Sequence, residues 1–191
     1  MIEAERTELE RMRRVTDQTC SGHARLRDRF ARRALLLDLL ILGLGSWLVA
    51  LAFVDPAIAS RLTPFGIIPI IWIGVLGVAN FFLGIVQLRV DWKARSEAHA
   101  HAMHLHADLK RDLNIALSRD PADVSDAEHA RITTQAAMIA NAAVAIPDAD
   151  FLALKRHHKL KVAVSMHLDN RPAALVWLTK LKFLLRDNSL R

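Results

Sequence analysis

GVLGVANFFLGIVQL, residues 74–88, sets three glycines, an asparagine and a glutamine in an otherwise apolar run. No charged residue falls between Arg61 and Arg89. A helix needs about 20 apolar residues to cross a bilayer, so this segment is long enough. At about 100° per residue, Gly77, Asn80, Gly84 and Gln87 share one face in the steps of a coiled-coil seam. Val75, Leu76, Phe81, Phe82 and Val86 lie mostly elsewhere. Membrane helices meet through small residues that let backbones approach and through side chains that hydrogen-bond across the interface. The stripe is therefore expected to face protein or water rather than lipid. It could pack on the first apolar segment, where Gly43, Gly45 and Ser46 would receive it. It could instead face an oligomer axis, where Asn80 and Gln87 would line a narrow path.

Residues 34–54 (ALLLDLLILGLGSWLVALAFV) hold one charge, Asp38, and residues 64–88 hold none. Two buried helices of a soluble protein would be shorter and apolar on one stripe only. Two membrane spans are expected instead, the second tilted or kinked at Pro69. DPAIASRLT, residues 55–63, is short and neutral, so a tight turn should join the spans as a hairpin. Arg25, Arg27, Arg29, Arg32 and Arg33 precede the first span; Arg89, Lys93 and Arg95 follow the second. The positive-inside rule then puts both termini in the cytoplasm of a cell whose plasma (inner) membrane holds the protein. In such a hairpin Trp47 and Trp72 come to similar depth, and Asp38 comes level with Gln87 and Arg89. An ion pair of Asp38 with Arg89 or a neighbouring arginine is expected, unless Asp38 reaches the headgroups.

The remainder of the 191-residue chain is charged and carries a formal net charge of +6. The charges are spread widely around two apolar segments, which points to membrane lipid and not nucleic acid as partner. Cys20 is the single cysteine, which excludes an internal disulfide and a cysteine-cluster zinc site. The first 33 residues are charged and no small-residue cleavage site follows, so no signal peptide is expected.

The polar parts read as helical. Residues 1–33 form an N-terminal cytoplasmic segment whose helix carries Leu9, Met12, His23, Leu26 and Phe30 as an apolar stripe. After the second span the chain runs without Gly or Pro to Leu117, with Trp92, His99, Ala102, His106, Leu109, Leu113 and Ala116 on a heptad-like seam. The two helices could pack as a stalk, and Pro121 should end the second. Ser125 to Glu128 (SDAE) should cap a helix to about Ala145. IPDAD breaks the chain, and two further helices follow, parted by Asn170, Arg171 and Pro172. The expected fold is an all-α membrane protein: the hairpin of residues 34–88, long cytoplasmic helical extensions, and a small C-terminal helical domain within 89–191.

Candidate chemistry is sparse. Glu97, His101, His104 and Asp108 share one helical face and could bind zinc or a similar ion, with a solvated polar face as the alternative. His99 and His106, on the seam, read as packing or interface histidines able to respond to pH. KRHHKLK supplies Lys155, Arg156, His157, His158, Lys159 and Lys161, a basic stretch that could contact anionic headgroups or an anionic ligand such as a nucleotide. No phosphate-binding loop, nucleophile elbow or paired-carboxylate motif appears, and no catalysis and no cofactor are expected.

HARLRDRFARRALLLDLLILGLG (residues 23–45), a short outer turn, DWKARSEAHAHAMHLHADLKRDL (91–113) and IPDADFLALKRHHKLKVAVSMHLDNRP (146–172) together resemble the SLATT family. These are two-transmembrane effector domains associated with bacterial nucleotide-signalling and SLOG-domain conflict systems. The likeness covers nearly the whole chain in layout and residue character. It implies a homo-oligomeric effector that disrupts the inner membrane of a phage-infected cell by forming a pore, with Gly77, Asn80, Gly84 and Gln87 as its path. It also implies a trigger from a nucleotide-second-messenger synthase or a SLOG-type sensor. A membrane-anchored scaffold or adaptor, and a small metal or proton transporter, are the other classes that the residues allow.

Overall fold

The computed structural model describes residues 3–120 and 124–189. Among them every regular element is helical: α1 (Glu3–Phe53), α2 (Pro56–Leu62), a 3-10 turn (Pro64–Gly66), α3 (Pro69–Val90), α4 (Trp92–Ser118), α5 (Asp126–Ala142), α6 (Asp148–Asn170) and α7 (Val176–Asn188). The chain divides into two compact units, Met1–Leu26 with Ala98–Arg191, and Arg27–Glu97. The N-terminal stretch of α1 thus shares a unit with α4, as the expected stalk has it. Its apolar stripe needs the α4 seam to leave water.

In the Arg27–Glu97 unit, α1 is joined to α3 by more than a tight turn. Pro56 stands at the start of α2, and the Asp55 carboxylate accepts a hydrogen bond from the Ala57 N–H at 2.8 Å. That pairing satisfies one of the helix's free N–H groups and starts a seven-residue helix where a turn was expected. At its end the Thr63 hydroxyl donates to the Ala59 carbonyl at 2.7 Å. Phe65 and Gly66 then take positive φ values of 57° and 67°, which no helix accepts. Residues 64–68 consequently lie outside the second apolar helix. Pro69 opens that helix and does not kink it, because a ring without an N–H fits the first turn.

The helix expected to run unbroken to Leu117 is interrupted at Asp91 (φ 44°, ψ 57°). An aspartate tolerates this left-handed conformation better than most side chains, and its Oδ1 accepts from the Ala94 N–H at 3.0 Å, capping α4. The interruption escapes a reading based on Gly and Pro alone.

Leu51, Ala59 and Leu76 are buried between these elements, with Leu44, Trp47, Leu48, Trp72 and Ile73 packed around them. The Trp47 and Trp72 rings meet edge to face at 5.8 Å between centroids, as their expected depth required. The outer flanks stay bare: Leu36, Leu42 and Phe53 on α1, and Val78, Phe81, Phe82 and Leu88 on α3 are exposed. Of the most apolar stretch in each helix, only 11% and 6% is buried. Both helices are long and apolar enough to cross a membrane.

The other unit is built on the predicted seam. Leu9 of α1 and Leu109, Leu113 and Ala116 of α4 are buried with Ile132 and Ile139 of α5 in one core. His23, Leu26, His99 and Ala102 are buried as well. Lys110 reaches Asp17 at 2.6 Å across the same pair of helices. Ser125 caps α5 as its motif predicts, its hydroxyl accepting from the Glu128 N–H at 3.2 Å. The Glu128 carboxylate turns to Arg119 instead of returning to the cap. The α5 helix ends at Ala142, short of Ala145. Pro121, expected to stop α4, lies outside the described residues; α4 ends at Ser118. Gly22 admits α6: a Cβ there would stand 3.1 Å from Ile146 Cδ1 and 3.6 Å from Leu154 Cδ1.

Candidate functional site

The glycine and amide stripe of α3 turns largely toward α1. A Cβ on Gly77 would stand 3.6 Å from Leu48 Cδ1, and one on Gly45 would stand 3.8 Å from Asn80 Nδ2. The Gln87 amide donates to Asp38 Oδ1 at 2.5 Å. Gly84, by contrast, has nothing within 4 Å of where its Cβ would be. Three of the four stripe residues thus meet the same chain's first apolar helix, the packing alternative of the sequence reading.

The expected ion pair is corrected here. Asp38 takes the amide of Gln87, and among the described residues no ion pair joins it to Arg89. The antiparallel register brings Gln87 level with Asp38, and an amide donor from a facing helix serves a carboxylate without requiring a second charge near the hydrocarbon. The pair borders a recess of about 350 Å³ whose wall includes Leu37, Asp91, Trp92 and Lys93.

Polar atoms deeper in the pair of helices are less well served. Asn80 Oδ1 and Trp72 Nε1 are buried without a hydrogen-bond partner. Such an orphan costs about 1–3 kcal/mol. The chain therefore holds unused hydrogen-bonding capacity at the level of the stripe.

On the outer face of α3, Gly74 lies open, with nothing within 4 Å of its Cβ position. It forms a shallow apolar groove with Ile71, Val75, Val78, Ala79 and Phe82. Small residues there leave room for a second helix backbone, the feature that lets helices associate in lipid.

In the other unit, His23 and His99 approach Nδ1 to Nδ1 at 3.0 Å, so one ring donates and the other accepts. His106 stacks on His23 with ring centroids 5.4 Å apart. Burial, then the neighbouring His106 and His99, push the His23 pKa down to about 4. Burial also lowers that of His106, whose Nδ1 lacks a partner. His23 is therefore neutral at neutral pH, and the three rings act as seam packing. The stripe spacing named each of them, but not their contact across the helices.

The four candidate metal ligands stay on one polar face of α4. Glu97, His101, His104 and Asp108 are exposed on α4, and Asp108 pairs with Arg111 at 3.3 Å. Among the described residues no group of three or more His, Cys, Asp or Glu converges to hold an ion. One helical face offers ligands from one side only, and among the described residues no other element completes the set.

KRHHKLK does not act as one patch, because the turn of α6 divides it. His158 is buried against α1, its Nδ1 3.1 Å from Ser21 Oγ and its Nε2 3.8 Å from Asp17. Arg156 and Lys159 border a recess shared with Phe183 and Asp187 of α7. His157 and Lys161 face a separate cleft with Arg25 of α1 and Lys180 of α7. Lys155 is exposed. The sequence patch missed Arg25 and Lys180, which are distant in sequence and arrive only through the helix packing.

No protein-family model, curated protein or solved structure matches the chain.

Proposed function

We propose that this chain is a two-span integral protein of a bacterial inner membrane, with both termini cytoplasmic, and that it is a non-enzymatic effector of the SLATT type. It self-associates in the membrane and, when triggered, opens a conducting path that halts an infected cell. The observation that carries this reading is the disposition of side chains on the helix pair. Apolar flanks stand uncovered on the outside, while Asp38, Asn80 and Gln87 meet along the contact between the two helices, the Asp38–Gln87 bond at an exposed edge and Asn80 half-buried beside Gly45.

In the resting hairpin Asn80 and Gln87 are engaged by α1. The Gly74 groove of α3 receives a neighbouring copy, and opening turns Asn80 and Gln87 to the oligomer axis. The orphaned Asn80 Oδ1 favours that movement, since water or a neighbouring amide would satisfy it. The trigger is a nucleotide-signalling or sensor partner acting on the helices outside the membrane.

A non-conducting scaffold is the second reading. It draws on the engagement of Gly77, Asn80 and Gln87 by the same chain, which leaves the stripe a packing role only. Inducible expression in a bacterium with a voltage-sensitive dye separates the two. Wild type is compared with the Asn80→Leu, Gln87→Leu double variant at matched membrane levels, with and without phage challenge. Depolarisation by wild type alone supports the effector. No depolarisation in either condition leaves the scaffold.

A further inference from the structure

In the unit of Met1–Leu26 and Ala98–Arg191, α1, α6 and α7 enclose a cleft of about 560 Å³. Small-molecule sites commonly measure about 300–1,000 Å³. Arg25 comes from α1, Lys161 from α6 and Lys180 from α7, so three elements each bring one cation to the same place. Among the described residues no carboxylate lines the cleft. None of the three cations makes an ion pair among the described residues, whereas nearby Lys110 and Arg186 are paired with Asp17 and Asp187.

Like charges gathered without a counter-charge repel one another, and an anion relieves that repulsion. The neighbouring His157 records this field. Burial lowers its pKa first, and the neighbouring Arg25, Lys180 and Lys161 lower it further by their positive charge. The floor differs in character: Val164 is buried, Leu160 and Leu168 are half-buried, and Ser165 adds a hydroxyl at the edge. A bare inorganic anion would leave that apolar surface uncovered.

We propose that this cleft binds a phosphate ester with an apolar body, the phosphate held by Arg25, Lys161 and Lys180 and the body lying over Leu160, Val164 and Leu168. Lysines hold a phosphate as point charges, and an arginine can hold two of its oxygens at once. The ester has two sources, a soluble nucleotide or an anionic phospholipid headgroup with its glycerol. The proposal stands whether or not the hairpin conducts.

The test uses the full-length chain in nanodiscs of phosphatidylcholine, titrated calorimetrically with adenosine 5′-monophosphate and, separately, with inorganic phosphate. A parallel set replaces part of the lipid with phosphatidylglycerol and follows thermal stability. The variants are Lys161→Gln with Lys180→Gln, and a control, Lys155→Gln with Lys159→Gln, which removes the same charge from outside the cleft. All four lysines are exposed, so each variant should fold, as circular dichroism will check.

A nucleotide source predicts saturable binding of the monophosphate at least tenfold tighter than inorganic phosphate. The cleft pair should weaken it tenfold or more and the control pair less than twofold. A lipid source predicts little nucleotide binding but a stabilisation by phosphatidylglycerol that the cleft pair abolishes and the control pair keeps. The proposal is overturned if neither probe acts, or if both pairs of substitutions weaken binding equally.

Discussion

Gln87 donates its side-chain amide to the Asp38 carboxylate, joining α3 to α1 across the pair of apolar helices. The relation has a direction: an amide can donate to a carboxylate, and a carboxylate cannot. Gln87→Glu would set two carboxylates face to face, whereas Asp38→Asn keeps an amide on each side. Thermal unfolding in detergent should rank wild type and Asp38→Asn together, Gln87→Leu lower and Gln87→Glu lowest. Loss of the bond should cost about 1–2 kcal/mol. Equal melting of wild type and Gln87→Glu would show that the pair contributes nothing.

The glycines of α3 should separate by face. At Gly77 a Cβ would be in ordinary contact, 3.6 Å from Leu48, so Gly77→Ala is tolerated and Gly77→Leu forces the helices apart. Gly74 is open, so Gly74→Leu should leave the hairpin intact while filling the groove offered to a second copy. Cross-linking in membranes checks this. Gly74→Leu should reduce dimer and higher bands without lowering the melting temperature, and Gly77→Leu should lower the melting temperature.

Much of this arrangement is legible in the chain because apolar periodicity is a local signal. His99, Ala102, Leu109, Leu113 and Ala116 of the seam, and Leu9, His23 and Leu26 of the stripe, are buried where their spacing put them. The Trp47–Trp72 contact followed from counting residues outward from the shared turn. The departures concern single backbone residues. Asp91 turns left-handed with no glycine to announce it, and Asp55 starts a helix where charge balance alone suggested a loop. At the candidate sites, spacing could show which residues share a face but not what stands opposite. Spacing therefore matches Asp38 to the nearest cation, and it leaves Arg25 and Lys180 out of the basic stretch.

Acid should destabilise the unit that holds His23. Unfolded, this histidine takes up a proton near its ordinary value of about 6.5; folded, it does so only near pH 4. Between those values the unfolded chain binds more protons, so stability rises with pH across that window and is lost as pH falls through it. The shift corresponds to a change on the order of 3 kcal/mol by linkage. Thermal melts at pH 7.5 and pH 5 should differ clearly for wild type and much less for His23→Leu. An unchanged pH dependence in the variant would remove His23 from the account.

The core beneath α5 gives a plainer expectation. Ile132 is fully buried against Leu9, Leu113 and the other members of that core. Ile132→Ala should destabilise by about 2–5 kcal/mol, through lost burial and the cavity left behind. Denaturant unfolding followed by circular dichroism would measure it, with the exposed Met138→Ala as a control expected to change stability little.

The proposed effector requires the two apolar helices to cross a membrane with both chain ends on its inner side. Cysteine labelling tests this directly. In a Cys20→Ser background, one variant carries Ser60→Cys in α2 and another carries Ser118→Cys at the end of α4, both exposed positions. Spheroplasts are treated with a membrane-impermeant maleimide before and after lysis. The hairpin predicts that the cysteine at position 60 is labelled in intact spheroplasts, and that the one at 118 is labelled only after lysis. Labelling of both positions in intact spheroplasts, or of neither until lysis, would contradict a two-span protein with its ends inside, and the proposed effector with it.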